Sequence, residues 1–415
     1  YSSYIGGNGD DALTGLAIDD AGNAYVAGRT ESTNLPATGI QLNRRSQPVY
    51  KSVDRAANWA SISNTLPVGR IFGVTIDPTN SSVLYAGTLF GVYKTTDGGN
   101  QWQLTGQANP ASAPFRGFVI VVDPANPNTV YVATQSNGVY KSTDGGQSYQ
   151  TKNTGINFGG PSFVYDIVID PQTTSTMYVG TFGGVFKSVN GGDNWTAINN
   201  GLLQFGTQPP RVNRLVIDPT NRMTLYAATS RGAFKTTDGG ANWVFAGNGL
   251  GQITTEVITL AIDPSSPSTL YAGTASFAGG LFKTTDGGAT WRASNTGLNF
   301  PGQTIPLAVQ ALAIDPSVTT TVYAGTSQGG LYKSVDGGAT WNTGSNGLMP
   351  LVINSVVVDR ANTSNVYAGV SSSGDGFAAK INAAGAVYGW LAYLGGTESD
   401  DLRAIAVDKD GNAYV

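Results

Sequence analysis

Apolar positions in this chain come in short runs, alternating or β-branched, each closed by Gly, Pro, Asn or Asp. No stretch sustains a 3.6-residue period, so the pattern predicts strands from end to end. The runs also recur. An aspartate closes an apolar run at Asp19, Asp77, Asp123, Asp170, Asp218, Asp263, Asp315, Asp359 and Asp408, with successive spacings of 58, 46, 47, 48, 45, 52, 44 and 49 residues. A strand centred on tyrosine comes next, as in Leu84-Tyr85-Ala86-Gly87 or Val322-Tyr323-Ala324-Gly325. An aromatic-Lys-Ser/Thr strand such as Val92-Tyr93-Lys94-Thr95 then runs into a Gly-rich turn closed by tryptophan, where a fourth strand begins.

A period of about forty to fifty residues is the mark of a propeller or solenoid. A four-stranded antiparallel unit has two apolar faces, and radial stacking buries both while leaving only short, protected edges. The pattern therefore predicts an all-β fold, a single β-propeller spanning residues 1–415 as one domain. Closure is set by the ends, because residues 388–415 restate residues 1–26. Eight complete repeats plus a partial ninth predict a nine-bladed ring. The C-terminus would supply the inner two strands of its last blade and residues 1–5 the outer one. An eight-bladed ring is the alternative.

Seven copies of the third turn read SVDRAANW from Ser52, TTDGGNQW from Thr95, STDGGQSY from Ser142, SVNGGDNW from Ser188, TTDGGANW from Thr236, TTDGGATW from Thr284 and SVDGGATW from Ser334. This pattern, S/T-x-D-x-G-x-x-W, resembles that of the aspartate-box (neuraminidase-type) repeat proteins over about residues 47–345. The resemblance places each box in the hairpin between third and fourth strands, away from family active sites. The residues read as structural. Asp54, Asp97, Asp144, Asp238, Asp286 and Asp336, with Asn190 as the one substitute, accept backbone N–H groups at the turn tip. Trp59, Trp102, Trp195, Trp243, Trp291 and Trp341, with Tyr149 as the one substitute, are expected to bury between blades. Ala56 replaces a box glycine in the first copy. No metal site is expected at these aspartates, and Asp408-Lys409-Asp410-Gly411-Asn412 reads as a plain turn because it lacks the bidentate glutamate of a calcium loop.

The ends differ slightly. Tyr4-Ile5-Gly6-Gly7 with Ala17-Ile18-Asp19 and Gly22-Asn23-Ala24-Tyr25-Val26 recurs as Tyr393-Leu394-Gly395-Gly396 with Ala406-Val407-Asp408 and Gly411-Asn412-Ala413-Tyr414-Val415. This resembles the propeller repeat of large secreted bacterial proteins and implies an extracellular or cell-surface location. Composition agrees, since only 12% of residues are charged and Ser, Thr, Asn and Gln carry the surface polarity. The chain opens directly in strand-like sequence, which reads as a mature chain or a fragment. No window of about 18 apolar residues predicts a membrane insertion.

Histidine and cysteine are both absent, which excludes histidine-dependent triads, thiolate and histidine metal sites and disulfides. A net charge of −4 leaves no basic field for nucleic acid. No cofactor is implied. Aspartate-box propellers include sialidases and xyloglucanase-like glycoside hydrolases, which this chain resembles in its repeats. Such hydrolysis needs two facing carboxylates. Once repeat, box and terminal-loop aspartates are set aside, Asp166, Asp193, Asp375, Glu31, Glu256 and Glu398 remain. That supply is thin, and the chain has one propeller where the xyloglucanase-like enzymes use two, so a non-catalytic reading ranks above an enzyme.

Candidate ligand residues lie on the loop face. Phe90, Phe182 and Phe277 sit in loops after the second strand, and Arg116 and Tyr165 in or near the long loops entering the first. Asp166 and Arg214 each stand four residues before a repeat aspartate, where other copies carry Gly73, Val119, Thr259, Ala311 or Ser355. They read as an inter-blade salt bridge at the channel, with an anchor for a polar ligand as the functional alternative. Three readings follow in order: a binding module for glycan or protein, an assembly protein that self-associates through its terminal strands, and a glycoside hydrolase.

Overall fold

The computed structural model describes residues 11–18, 24–30, 49–56, 58, 60–63, 65–66, 71–88, 90–106, 117–134, 136–157, 162–205, 208–251, 255–275, 279–299, 305–327, 330–343, 352–371, 375–381, 387–394, 406–407 and 413–414. The chain divides into two compact units, Pro48–Ser371 and the paired ends Tyr1–Gln47 with Ser372–Val415.

The larger unit is a propeller of seven four-stranded antiparallel blades. Blade 1 consists of Ile71–Asp77, Asn80–Thr88, Gly91–Thr95 and Gln103–Leu104, and blade 2 of Gly117–Val122, Val130–Thr134, Val139–Ser142 and Gln150–Thr151. Blade 3 is Val164–Ile169, Met177–Thr181, Gly184–Ser188 and Thr196–Ala197, and blade 4 is Val212–Ile217, Leu225–Thr229, Gly232–Thr236 and Val244–Phe245. Blade 5 is Val257–Ile262, Leu270–Thr274, Leu281–Thr284 and Arg292–Ala293, and blade 6 is Val309–Ile314, Val322–Thr326, Leu331–Ser334 and Asn342–Thr343. Blade 7 closes the ring from both directions: Val352–Val358 and Val366–Ser371 are its inner strands, and Val49–Ser52 and Ala60–Ser61 its outer ones. First strands of neighbouring blades touch all the way round, the last returning onto Ile71–Asp77, so they line the axis.

Seven blades replace the eight or nine expected from the repeat aspartates. The repeats ending at Ile18 and Val407 belong to the other unit, where Asp11–Ile18, Ala24–Thr30, Asp375–Ile381 and Val387–Leu394 form one sheet and Ala406–Val407 pairs with Ala413–Tyr414. Residues 1–5, expected as the closing strand, lie outside the described residues. The physical reason is strand pairing: Asp11–Ile18 and Ala24–Thr30, upstream of the box at Ser52, share a sheet with Asp375–Ile381 and Val387–Leu394, downstream of Asp359, which leaves the box at Ser52 and the repeat ending at Asp359 each as half a blade. The two halves satisfy one another by pairing Val49↔Gly369 through Ser52↔Val366.

The box turns hold the blades together. In six of them the Ser or Thr hydroxyl donates to the aspartate Oδ1 at 2.7 Å. Asn190 keeps the same bond at 2.9 Å. The amide four residues past each acceptor donates to it at 2.8–3.0 Å. The two turn glycines, such as Gly145 and Gly146 at φ 68 and 94, occupy the left-handed region. Thus shaped, the turn presents its first glycine carbonyl to the preceding blade. A Tyr on the second strand and a Lys on the third stand directly opposite one another, and in five of the seven seams both donate to that carbonyl. Tyr226 and Lys235 reach Gly287 O at 3.2 and 3.1 Å, and Tyr271 and Lys283 reach Gly337 O at 2.9 and 2.7 Å. Each Lys ammonium also lies 5.2–5.7 Å from its tyrosine ring centroid. Burial pushes the Tyr131, Tyr178 and Tyr271 hydroxyls up to about 12, so they remain donors.

The box tryptophans add an apolar seal. Trp195, Trp243, Trp291 and Trp341 are each about 3–4% exposed and donate Nε1–H to a carbonyl of the preceding blade at 2.7–2.9 Å. Trp102 does so to Ile62 O at 2.6 Å. Tyr149 is buried in the corresponding place, and Trp59 lies outside the described residues. Burying such rings adds apolar area to the inter-blade contacts they enter.

The box carboxylates set an acid limit. The Ser148 hydroxyl holds Asp144, the Thr236 hydroxyl Asp238 and the Thr340 hydroxyl Asp336 at about 2. Depressed carboxylates contribute stability above their unfolded value, near 3.9, and lose it as pH falls through the folded one. The melting temperature is therefore expected to be level above pH 5 and to fall steeply between about pH 4 and 2. Circular dichroism melts across that range measure it, and a level profile down to pH 2 would contradict it.

Candidate functional site

The box turns and the turns after the repeat aspartates lie at one end of the blades, tied by bonds such as Gly191 N–H to Ser175 O at 2.9 Å and Gly287 N–H to Ser268 O at 2.8 Å. The loops after the second strands lie at the other end, beside the entries to the first strands. There Phe182 N–H donates to Phe163 O at 3.3 Å and Ser230 N–H to Arg211 O at 2.9 Å.

At this loop end each first strand carries a bulge. The register slips by one residue at Phe72, Phe118, Tyr165, Asn213, Ile258, Gln310 and Asn354, always five residues before the repeat aspartate. A bulge turns its extra side chain out of the ladder. The result is a rim around the axis in which Phe72, Tyr165, Asn213, Ile258, Gln310 and Asn354 are all half-buried. Two of these side chains bridge to the next blade by the same bond, Asn213 Nδ2 to Val257 O at 2.8 Å and Asn354 Nδ2 to Ile71 O at 2.7 Å.

Charge at the rim is paired and ordered. Arg211 forms an ion pair with Glu256 of the next blade and donates from Nε to Asn213 Oδ1 at 2.9 Å. Asn213 also donates to Glu256 Oε1 at 3.0 Å. The Arg211 guanidinium carbon lies 5.5 Å from the Tyr165 ring centroid, and Tyr165 meets Phe163 edge-on at 6.0 Å. One residue below the bulge, Asp166 is 1% exposed and accepts from Arg214 Nη1 at 3.3 Å and Leu215 N–H at 2.7 Å. Ser355 takes the equivalent bond from Val74 N–H at 3.2 Å. Burial pushes the Asp166 carboxyl above the usual carboxylate range, against the opposing pull of Arg214 and of the Leu215 amide.

Of the sequence candidates, Tyr165, Asp166 and Arg214 come together at the axis, and Phe90 and Phe182 stand exposed at 49% and 42%. Arg116 and Phe277 lie outside the described residues. Asp166 and Arg214 form the inter-blade salt bridge. Sequence reading missed Asn213 and the pairing of Glu256 with Arg211. Their signal was the constant offset from the repeat aspartate for Asn213, and for Glu256 a place one residue before a first strand. Among the carboxylates that remained as catalytic candidates, Glu256 is paired with Arg211 and Asp193 with Lys152 at 2.7 Å. Among the described residues no three potential metal ligands cluster, and no helix is long and apolar enough to cross a membrane.

Residues 1–36 match a family model described as Beta-propeller repeat. The chain carries a propeller repeat. No curated protein matches its sequence. Among solved structures, a GH74 xyloglucanase from Xanthomonas campestris is similar at a TM-score of 0.59 and 18% identity, covering 77% of this chain and 54% of that one. This chain thus spans about half the length of the xyloglucanase. YCF48 bound to D1 peptide is similar at a TM-score of 0.53 and 16% identity, covering 73% of this chain and 94% of that one. YCF48 from Cyanidioschyzon merolae is similar at 0.52 and 15%, covering 72% and 95%. These likenesses establish the fold.

The Asp166–Arg214 pair makes an asymmetric prediction. Arg214→Leu strands a buried carboxylate and is expected to cost about 3–5 kcal/mol. Asp166→Asn leaves a guanidinium whose side chain is 43% exposed to water, and is expected to cost about 1–2 kcal/mol. Urea unfolding at pH 7 compares them, and equal losses would show that the carboxylate is not ionised in the fold.

Proposed function

We propose that the seven-bladed propeller is a non-catalytic binding module whose ligand, a glycan or a protein segment, docks on the loop face over the channel mouth. The observation that carries this reading is the rim itself. One structural irregularity, repeated in each blade, sets Tyr165, Asn213 and Asn354 at the loop end of the first strands that line the axis, with Phe182 exposed at the same end. Aromatic faces with preorganised amides and guanidinium groups are the chemistry of recognition surfaces. The paired states of Glu256 and Asp166 favour ligand positioning over acid–base work. The neighbour described as bound to D1 peptide supports the protein arm, and the xyloglucanase the glycan arm. We place the module outside the cell or on its surface, on the low charge density and the terminal repeats.

The purified chain is to be screened on polysaccharide and peptide arrays beside a Phe90→Ala/Phe182→Ala variant. One ligand class is expected to be retained, with affinity lowered at least about tenfold in the variant. Equal binding by both proteins would move the site off the loop face. Release of reducing ends from a retained glycan would overturn the non-catalytic reading in favour of hydrolysis, and oligomers that grow with concentration on a blank array would favour assembly.

A further inference from the structure

Five of the seven seams between blades carry the full pair of donors, a tyrosine hydroxyl and a lysine ammonium on one glycine carbonyl. The seams on either side of blade 7 are different. Lys333 Nζ reaches Arg55 O at 2.6 Å, but the Tyr323 hydroxyl beside it is buried with no partner. On the other side the Tyr367 hydroxyl is likewise buried and unpartnered. Asp315 Oδ2, in a residue 0% exposed, also has no hydrogen-bond partner, and Arg55 Nε stops 3.9 Å from it. Each buried group left unsatisfied removes stability from the seam.

Two further observations fall at the same place. Arg55 and Ala56, at φ 56 and 65, are the only non-glycine residues in the left-handed region among the described residues, and both lie in the box turn of blade 7. Side chains there are disfavoured relative to glycine. Blade 7 is also the blade assembled from two distant segments, joined by the four residue pairs between Val49–Ser52 and Val366–Gly369.

Chain connectivity supplies a counterweight. The strand Ala24–Thr30 precedes this junction and Asp375–Ile381 follows it, and these two pair with one another from Ala24↔Ile381 to Thr30↔Asp375. The two segments meeting in blade 7 are therefore flanked by strands that pair with one another in the other unit. Keeping their flanks together lowers the entropy gained when the ring opens.

We propose that the ring opens first at blade 7, by separation of Val49–Ser52 from Val366–Gly369, and that the terminal sheet is the clasp that holds this junction shut. The proposal is independent of the binding reading. The chain has no cysteine, so a Thr30→Cys/Asp375→Cys pair tests it cleanly by hydrogen exchange on the whole protein. In the unaltered chain, amides of Val49–Ser52 and Val366–Ser371 are expected to exchange at least about tenfold faster than the matched strands Gly184–Ser188 and Met177–Thr181. Oxidising the pair is expected to slow the blade 7 amides about tenfold and leave blade 3 unchanged, with reduction restoring the original rates. A single rate for both blades would overturn the weak seam. A cross-link that fails to form, or that forms without slowing blade 7, would overturn the clasp.

Discussion

The carbonyl at the tip of the box turn, bonded by both donors in five of the seven seams, is the contact on which the ring depends. A blade is a small sheet with two apolar faces, and apolar packing sets its angle to its neighbour only within a range. A tyrosine hydroxyl and a lysine ammonium converging on one carbonyl do fix it, because hydrogen bonds are directional. That explains why the box aspartate, whose side chain is exposed in most copies, recurs along the chain. Its carboxylate organises backbone amides so that the carbonyl beyond them points outward. The lysine gains more than a charge interaction, since its stem covers the tyrosine ring before its ammonium reaches the next blade.

Rigid seams at one end leave the other free to vary. Box turns and repeat-aspartate turns are bound to each other blade by blade, while the loop end carries the bulges, the long connections and the exposed phenylalanines. The bulge joins the two roles. It interrupts regular pairing just where the first strand emerges onto the loop face. Blades 3 to 5 place Tyr165, Arg211, Asn213 and Glu256 there, held by one another across two seams. For the proposed binding role, a surface already ordered loses little freedom when a ligand docks.

Strand content, the four-strand repeat and the role of the box turns were legible because each rests on local chemistry. The blade number was not legible from the repeat aspartate. That residue also occurs at both ends of the chain, in repeats whose described strands belong to the other unit. The box was the better counter, for it occurs once per blade and includes the isolated copy at Ser52. Asp166 and Arg214 were found by register, since charged residues at one offset in adjacent repeats must meet. Asn213 shares a constant offset with Tyr165 and escaped notice because its residue type is unremarkable in a polar chain. Glu256 could be placed against Arg211 only once neighbouring first strands were known to be in contact.

The dependence of the ring on its turn carbonyls is tested most directly by a double-mutant cycle at one ordinary seam, Tyr226→Phe and Lys235→Met, read by urea unfolding. If both donors serve the Gly287 carbonyl, each single change costs about 1–2 kcal/mol and the pair departs from additivity by about 0.5 kcal/mol or more. Losses near zero for both would contradict the account, and would leave the seams to tryptophan and apolar packing alone.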